Sequence, residues 1–113
     1  MPTSLLGLVR HLTGGERYWF GHHLVGTEIG DPDFEMDVVD LDTQDVLAEY
    51  RDAIRTSNEN VRSAGDPDAR LARSVDGASL SLRAVLAQMT GESTRHAGYA
   101  DIFREQIDGV TGR

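Results

Sequence analysis

Cysteine is absent from this chain of 113 residues, which excludes disulfides, thiolate metal ligands and a sulfur nucleophile of the protein's own. Lysine is absent as well. All eleven basic residues are Arg, set against nineteen acidic ones, and the formal net charge is −8. The arginines are scattered singly, so no basic stripe is available to displace counterions from a phosphate backbone or to hold an anionic bilayer surface; nucleic acid and membrane are not expected partners. Long apolar runs are missing too, the nearest being pairs such as Val38-Val39 and Leu5-Leu6, so no bilayer-spanning segment is expected. The start, Met1-Pro2-Thr3-Ser4, lacks a basic stretch followed by an apolar one, so no signal peptide is expected and the cytoplasm is the expected location. What is present, 39% hydrophobic and 27% charged residues, describes one soluble globular domain spanning 1–113. The Arg-only, Ala-, Gly- and Asp-rich composition points to a GC-rich bacterial genome.

Apolar periodicity predicts an all-α protein with three long helices. The first runs from about Ser4 to Phe20, with Leu5, Leu8, Val9, Leu12, Trp19 and Phe20 on one face. Gly14-Gly15 inside it costs roughly 1 kcal/mol per Gly relative to Ala, which suggests a bend or the close approach of another backbone. From Gly21 to Asp42 the periodicity fails. Glu28, Asp31, Asp33, Glu35, Asp37, Asp40 and Asp42 fall there with no Arg among them, and a solvated acidic loop is the expectation. A calcium loop is disfavoured because Met36 stands where the sharp turn would need Gly. The second helix spans about Thr43 to Ser63, capped by Asp42 or Thr43, with Val46, Leu47, Tyr50, Ile54 and Val61 as its stripe. A polar connection then reaches about Gly77, and the third helix spans about Ser79 to Asp108. Moderate connections between the three favour antiparallel packing.

The seam of the third helix reads Leu82, Val85, Met89, Glu92, His96, Tyr99, Phe103. In mid-seam, where apolar residues should continue, it offers a carboxylate and an imidazole four residues apart. Such residues lie one above the other, with Cβ atoms about 5–6 Å apart, so both can reach one cation. A carboxylate on a buried face must be compensated. Spacing leaves two readings open: a divalent metal, or pairing of Glu92 and His96 with each other or with an Arg. A third ligand would come from another helix, with His11 the best candidate and Glu16, more central on the first stripe, its competitor. His22 and His23 read as loop or helix-end residues.

Two stretches carry a family resemblance. Ser4-Leu5-Leu6-Gly7-Leu8-Val9-Arg10-His11-Leu12 with Glu16-Arg17-Tyr18-Trp19-Phe20, and Ser81-Leu82-Arg83 with Glu92-Ser93-Thr94-Arg95-His96-Ala97-Gly98, resemble the DinB-like superfamily of metal-binding four-helix bundles. The likeness is to its actinobacterial mini-circle protein branch, related to the mycothiol-dependent maleylpyruvate isomerases. The resemblance implies an up-and-down bundle with three of the family's four long helices present. It implies a divalent metal, zinc first and nickel second, held by His11, Glu92 and His96 with an open position. It further implies a low-molecular-weight thiol that attacks a small-molecule electrophile, with Glu16 or Tyr99 as acid–base groups. Relatives in this branch often carry His where this chain has Tyr99 and Gln88, and an acidic residue at Gly91. A helix that precedes Ser4 in the family has no counterpart here, which would leave Leu5, Leu6, Val9 and Leu86 uncovered and predicts a homodimer or a fragment of a longer protein. Two functions follow as expectations: a metal-dependent thiol transferase or isomerase, or a non-catalytic helical association module with a structural or vestigial metal site.

Overall fold

The computed structural model describes residues 5–30 and 38–108, with side chains described as far as Gly98. The expected Asp31, Asp33, Glu35 and Asp37 of the acidic loop lie outside these residues, as do the side chains of Tyr99 and Phe103. Among the described residues the protein is all-helical: α1 (Leu5–Glu16) with a π-helical continuation (Arg17–His23), α2 (Thr43–Ala64) and α3 (Leu82–Asp108). No helix among them is long and apolar enough to cross a membrane.

The first helix runs further than its apolar stripe suggests. It continues as a π-helix past Phe20 and closes at Gly26, whose positive φ lets its N–H reach the His22 carbonyl at 3.1 Å. A π-helix leaves carbonyls in altered register, and one of them is taken from outside: Asn60 Nδ2 on α2 donates to the Phe20 carbonyl at 2.9 Å. Asp42 caps α2 by accepting from the N–H groups of Gln44 and Asp45, worth about 1 kcal/mol. Ser81 caps α3, its Oγ accepting from Ala84 N–H at 3.2 Å.

The 65–81 connection is less polar in effect than in composition. Leu71 is buried in one cluster with Phe20, Leu24, Leu82 and Val85. Its backbone also serves both neighbouring helices. Ala72 and Arg73 donate to the carbonyls of Leu24 and His23 at the end of the π-helix, while Pro67 and Ala69 accept from Arg83 and Leu82 at the start of α3. These bonds satisfy groups that helix ends leave open.

Helix directions depart from simple alternation. Positions rise together along α1 and α2, with Thr13 and Gly14 bordering one cavity with Glu49, Glu16 bonded to Ser57 and the Phe20 carbonyl bonded to Asn60, so these two helices run parallel. The connection over 26–42 is long enough to return along a helix, whereas only short links force antiparallel neighbours. α3 runs antiparallel to α1, with His11 against His96 and Gly15 against Met89. The partner at Gly15 is therefore a side chain and not another backbone: a Cβ there would sit 4.0 Å from Met89 Cε. α2 and α3 both pack on the first helix but share few contacts with each other.

Candidate metal centre

The antiparallel pairing of α1 with α3 brings His11 onto the Glu92/His96 pair. The His11 and His96 ring centroids are 5.1 Å apart at 63°, and His96 Nε2 lies 3.5 Å from Glu92 Oε2. The other carboxylate oxygen, Oε1, accepts from Arg95 one turn on. The His96 side chain is 15% exposed and that of Glu92 37%, so the pair is half in the protein, which the seam periodicity implied, and half at its rim. Burial pushes the His96 pKa down, and nearby His11 adds to this while Glu92 partly offsets it. The ring is thus kept neutral, which is the form that ligates metal. These side chains open on a cleft of about 170 Å³, walled by Leu12, Trp19, Gln88 and Met89.

The donor chemistry suits a divalent ion. Two imidazoles bound to one tetrahedral zinc at about 2.0–2.1 Å would have ring centroids about 5 Å apart, as His11 and His96 have. Among the described residues no three His, Asp or Glu side chains are yet gathered around one point. Glu92 divides its carboxylate between two neighbours, Oε1 taking Arg95 while Oε2 lies 3.5 Å from His96 Nε2. Arg95 is the residue that the seam pattern did not single out. Its signal was the i,i+3 spacing from Glu92.

Glu16 is not brought together with these three. It faces α2, bonded to the buried hydroxyl of Ser57, and lines the spaces on the far side of Met89 from the imidazoles. Burial pushes its carboxyl above the ordinary carboxylate range, with the Ser57 bond partly offsetting this. A carboxyl whose pKa is raised by folding favours the folded state when protonated and disfavours it when ionised. Its stabilising effect is full below the unfolded value near 4.5 and lost as pH rises through the folded value. Glu16→Gln is therefore expected to gain melting temperature over the wild type as pH is raised from acid to neutral, with the two curves converging below pH 4.5; a constant offset at every pH would disprove it.

His22 and His23, expected at a loop or helix end, are the last two residues of the π-helix. His22 Nδ1 donates to the Thr27 carbonyl at 3.0 Å. His23 is 6% exposed and packed against Tyr18 and Trp19, with ring centroids 4.5 and 5.3 Å away. Neither of its nitrogens reaches hydrogen-bond geometry. Burial pushes its pKa down, and the neighbouring Arg73 backbone offsets only part of this. It behaves as a core aromatic. A larger cavity of about 240 Å³ lies between Glu16, Ser57 and Asn60; Glu16 and Asp52 border it, and among the described residues no third metal-ligating side chain joins them.

A family model described as Mycothiol-S-transferase matches residues 1–109. No curated protein and no solved structure matches the chain.

Proposed function

We propose, because the chain belongs to the mycothiol-S-transferase family of the DinB-like superfamily, that it is a divalent-metal-dependent transferase joining the sulfur of a low-molecular-weight thiol to an electrophilic small molecule. The observation that carries the reading is the apposition of His11 with the Glu92/His96 pair across α1 and α3. These three would hold the ion, with zinc the first expectation and nickel the second, and a fourth position left open toward the cleft. An ion there would keep a bound thiol ionised at neutral pH, chemistry that a cysteine-free chain cannot supply from its own side chains.

The chain's own residues would do the rest. His11 and His96 donate as neutral rings, and Glu92 contributes the one negative charge that partly balances a dication. Trp19 and Met89 offer the apolar wall against which an electrophile can lie out of water, and the Gln88 amide offers the wall's hydrogen-bonding group. In the transfer a sulfur–carbon bond forms, the thiol gives up its proton and the electrophile its leaving group, or accepts a proton if it is an addition acceptor.

One observation favours the other reading, an association module with a vestigial site: Glu92 is already partnered by Arg95. The experiment that separates the two is metal analysis of protein purified without an affinity tag, together with thiol-dependent consumption of an activated alkyl or aryl electrophile. Stoichiometric zinc or nickel and turnover that stops on chelation are expected. Metal-free protein that cannot be loaded and shows no thiol-dependent turnover would overturn the transferase reading.

A further inference from the structure

Glu92 uses its two carboxylate oxygens differently. Oε1 accepts from Arg95 Nη2, while Oε2 stands 3.5 Å from His96 Nε2. Two donors bound to one tetrahedral zinc ion lie about 3.3–3.5 Å apart, because each sits about 2.0–2.2 Å from the metal. Oε2 and Nε2 are thus already spaced as neighbouring ligands with the Arg95 bond in place, and that bond is compatible with ligation through Oε2. The division also follows the depth of the site: side-chain exposure falls from 60% at Arg95 through 37% at Glu92 to 15% at His96. Arg95 therefore grips the carboxylate from the water side, whereas Glu92, His96 and His11 border the cleft.

Glu92 is the only acidic residue within four positions of Arg95 on α3, so along its own helix the guanidinium has one carboxylate to choose. A Cβ at Gly91 would lie 3.8 Å from Arg95 Nη1, so the guanidinium is folded back over the turn that carries Glu92. A pair this exposed adds little to the stability of the fold, and its main consequence falls on the carboxylate itself. A carboxylate can hold a metal ion through one oxygen or through both. Held through both, Glu92 would fill the position that a catalytic site with three protein ligands keeps open. A charge-assisted bond to Oε1 stands against that.

We infer, resting on the metal-dependent reading above, that Arg95 is a positioning residue that keeps Glu92 a one-oxygen ligand and so holds the fourth coordination position open for the sulfur of the thiol. It touches neither the ion nor the thiol and acts through Glu92 alone. The bond that favours the association module is then a working part of the site.

The test uses Co(II) in place of spectroscopically silent zinc and 2-mercaptoethanol as the thiol probe, on the full chain as wild type, Arg95→Met and Arg95→Lys. Arg95 is exposed, and helical circular dichroism confirms that each variant folds. Binding of the probe as thiolate, its proton passing to the buffer, produces a sulfur-to-cobalt charge-transfer band, and the probe concentration at half amplitude measures access to the fourth position. All three proteins are expected to take up cobalt, because His11, Glu92 and His96 are unchanged. Arg95→Met is expected to need at least about tenfold more probe, the lower end of what losing the partner of a metal ligand costs. Arg95→Lys keeps one charged donor for Oε1 and is expected to stay within a few-fold of the wild type. Cobalt uptake with the same thiol titration in all three proteins overturns the inference alone, as does an Arg95→Lys variant as weak as Arg95→Met. A wild type that takes up no cobalt overturns the metal-dependent reading and the inference with it.

Discussion

His96→Ala is expected to lower affinity for zinc by at least about a hundredfold, about 2.7 kcal/mol, measured by competition with a chelator. Residues that merely orient a metal ligand already cost about 10–100-fold when removed, and His96 would be a ligand itself. It is also the member of the set that the others meet: its ring faces His11 at 5.1 Å, and its Nε2 faces Glu92 at 3.5 Å. His11→Ala is expected to match it, because only His11 brings a donor from a second helix, and three ligands would fall to two on one helix face. Glu16→Gln is the discriminating control. The sequence made Glu16 a rival third ligand, but its carboxyl faces Ser57, so zinc affinity is expected to stay within a few-fold of the wild type. Loss of zinc in Glu16→Gln with retention in His11→Ala would overturn the assignment. Ion binding would also cross-link α1 to α3, so loading is expected to raise the melting temperature of the wild type and not that of His96→Ala.

Phe20→Ala is expected to destabilise the fold by about 3–5 kcal/mol, read as a fall in the urea midpoint. A chain of this length has a total stability of about 6–17 kcal/mol, so a large share of the molecules' margin disappears. Phe20 is 6% exposed and belongs to a buried cluster with Leu24 on its own helix, Leu71 in the second connection, and Leu82 and Val85 at the start of α3. Truncation would leave a cavity where three segments meet. Its backbone is fixed as well, through the bond from Asn60, so the helix cannot easily shift to refill the space. Val39→Ala, at a position 86% exposed, is expected to change the midpoint hardly at all. Equal effects for the two substitutions would show that the Phe20 cluster is not the core.

The sequence by itself determined the helices, because their apolar stripes and caps are local properties of a few turns: Asp42 caps α2, and Leu82 and Val85, the first two positions of the α3 seam, are buried as their spacing requires. It also determined that Glu92 and His96 share one face, since residues four apart on a helix have no alternative. Tertiary structure decided everything that depends on how helices meet. No local pattern shows that α1 continues as a π-helix to His23, because the register there is held by Asn60, forty residues away in sequence. None shows that α2 runs parallel to α1, since direction follows from the path of the intervening connection and not from either helix. Leu71 looked like part of a polar linker because its apolar partners come from two other elements. The site followed the same division: one helix fixed two of its members, but only the antiparallel packing of α1 on α3 could set His11 against them and turn Glu16 toward Ser57.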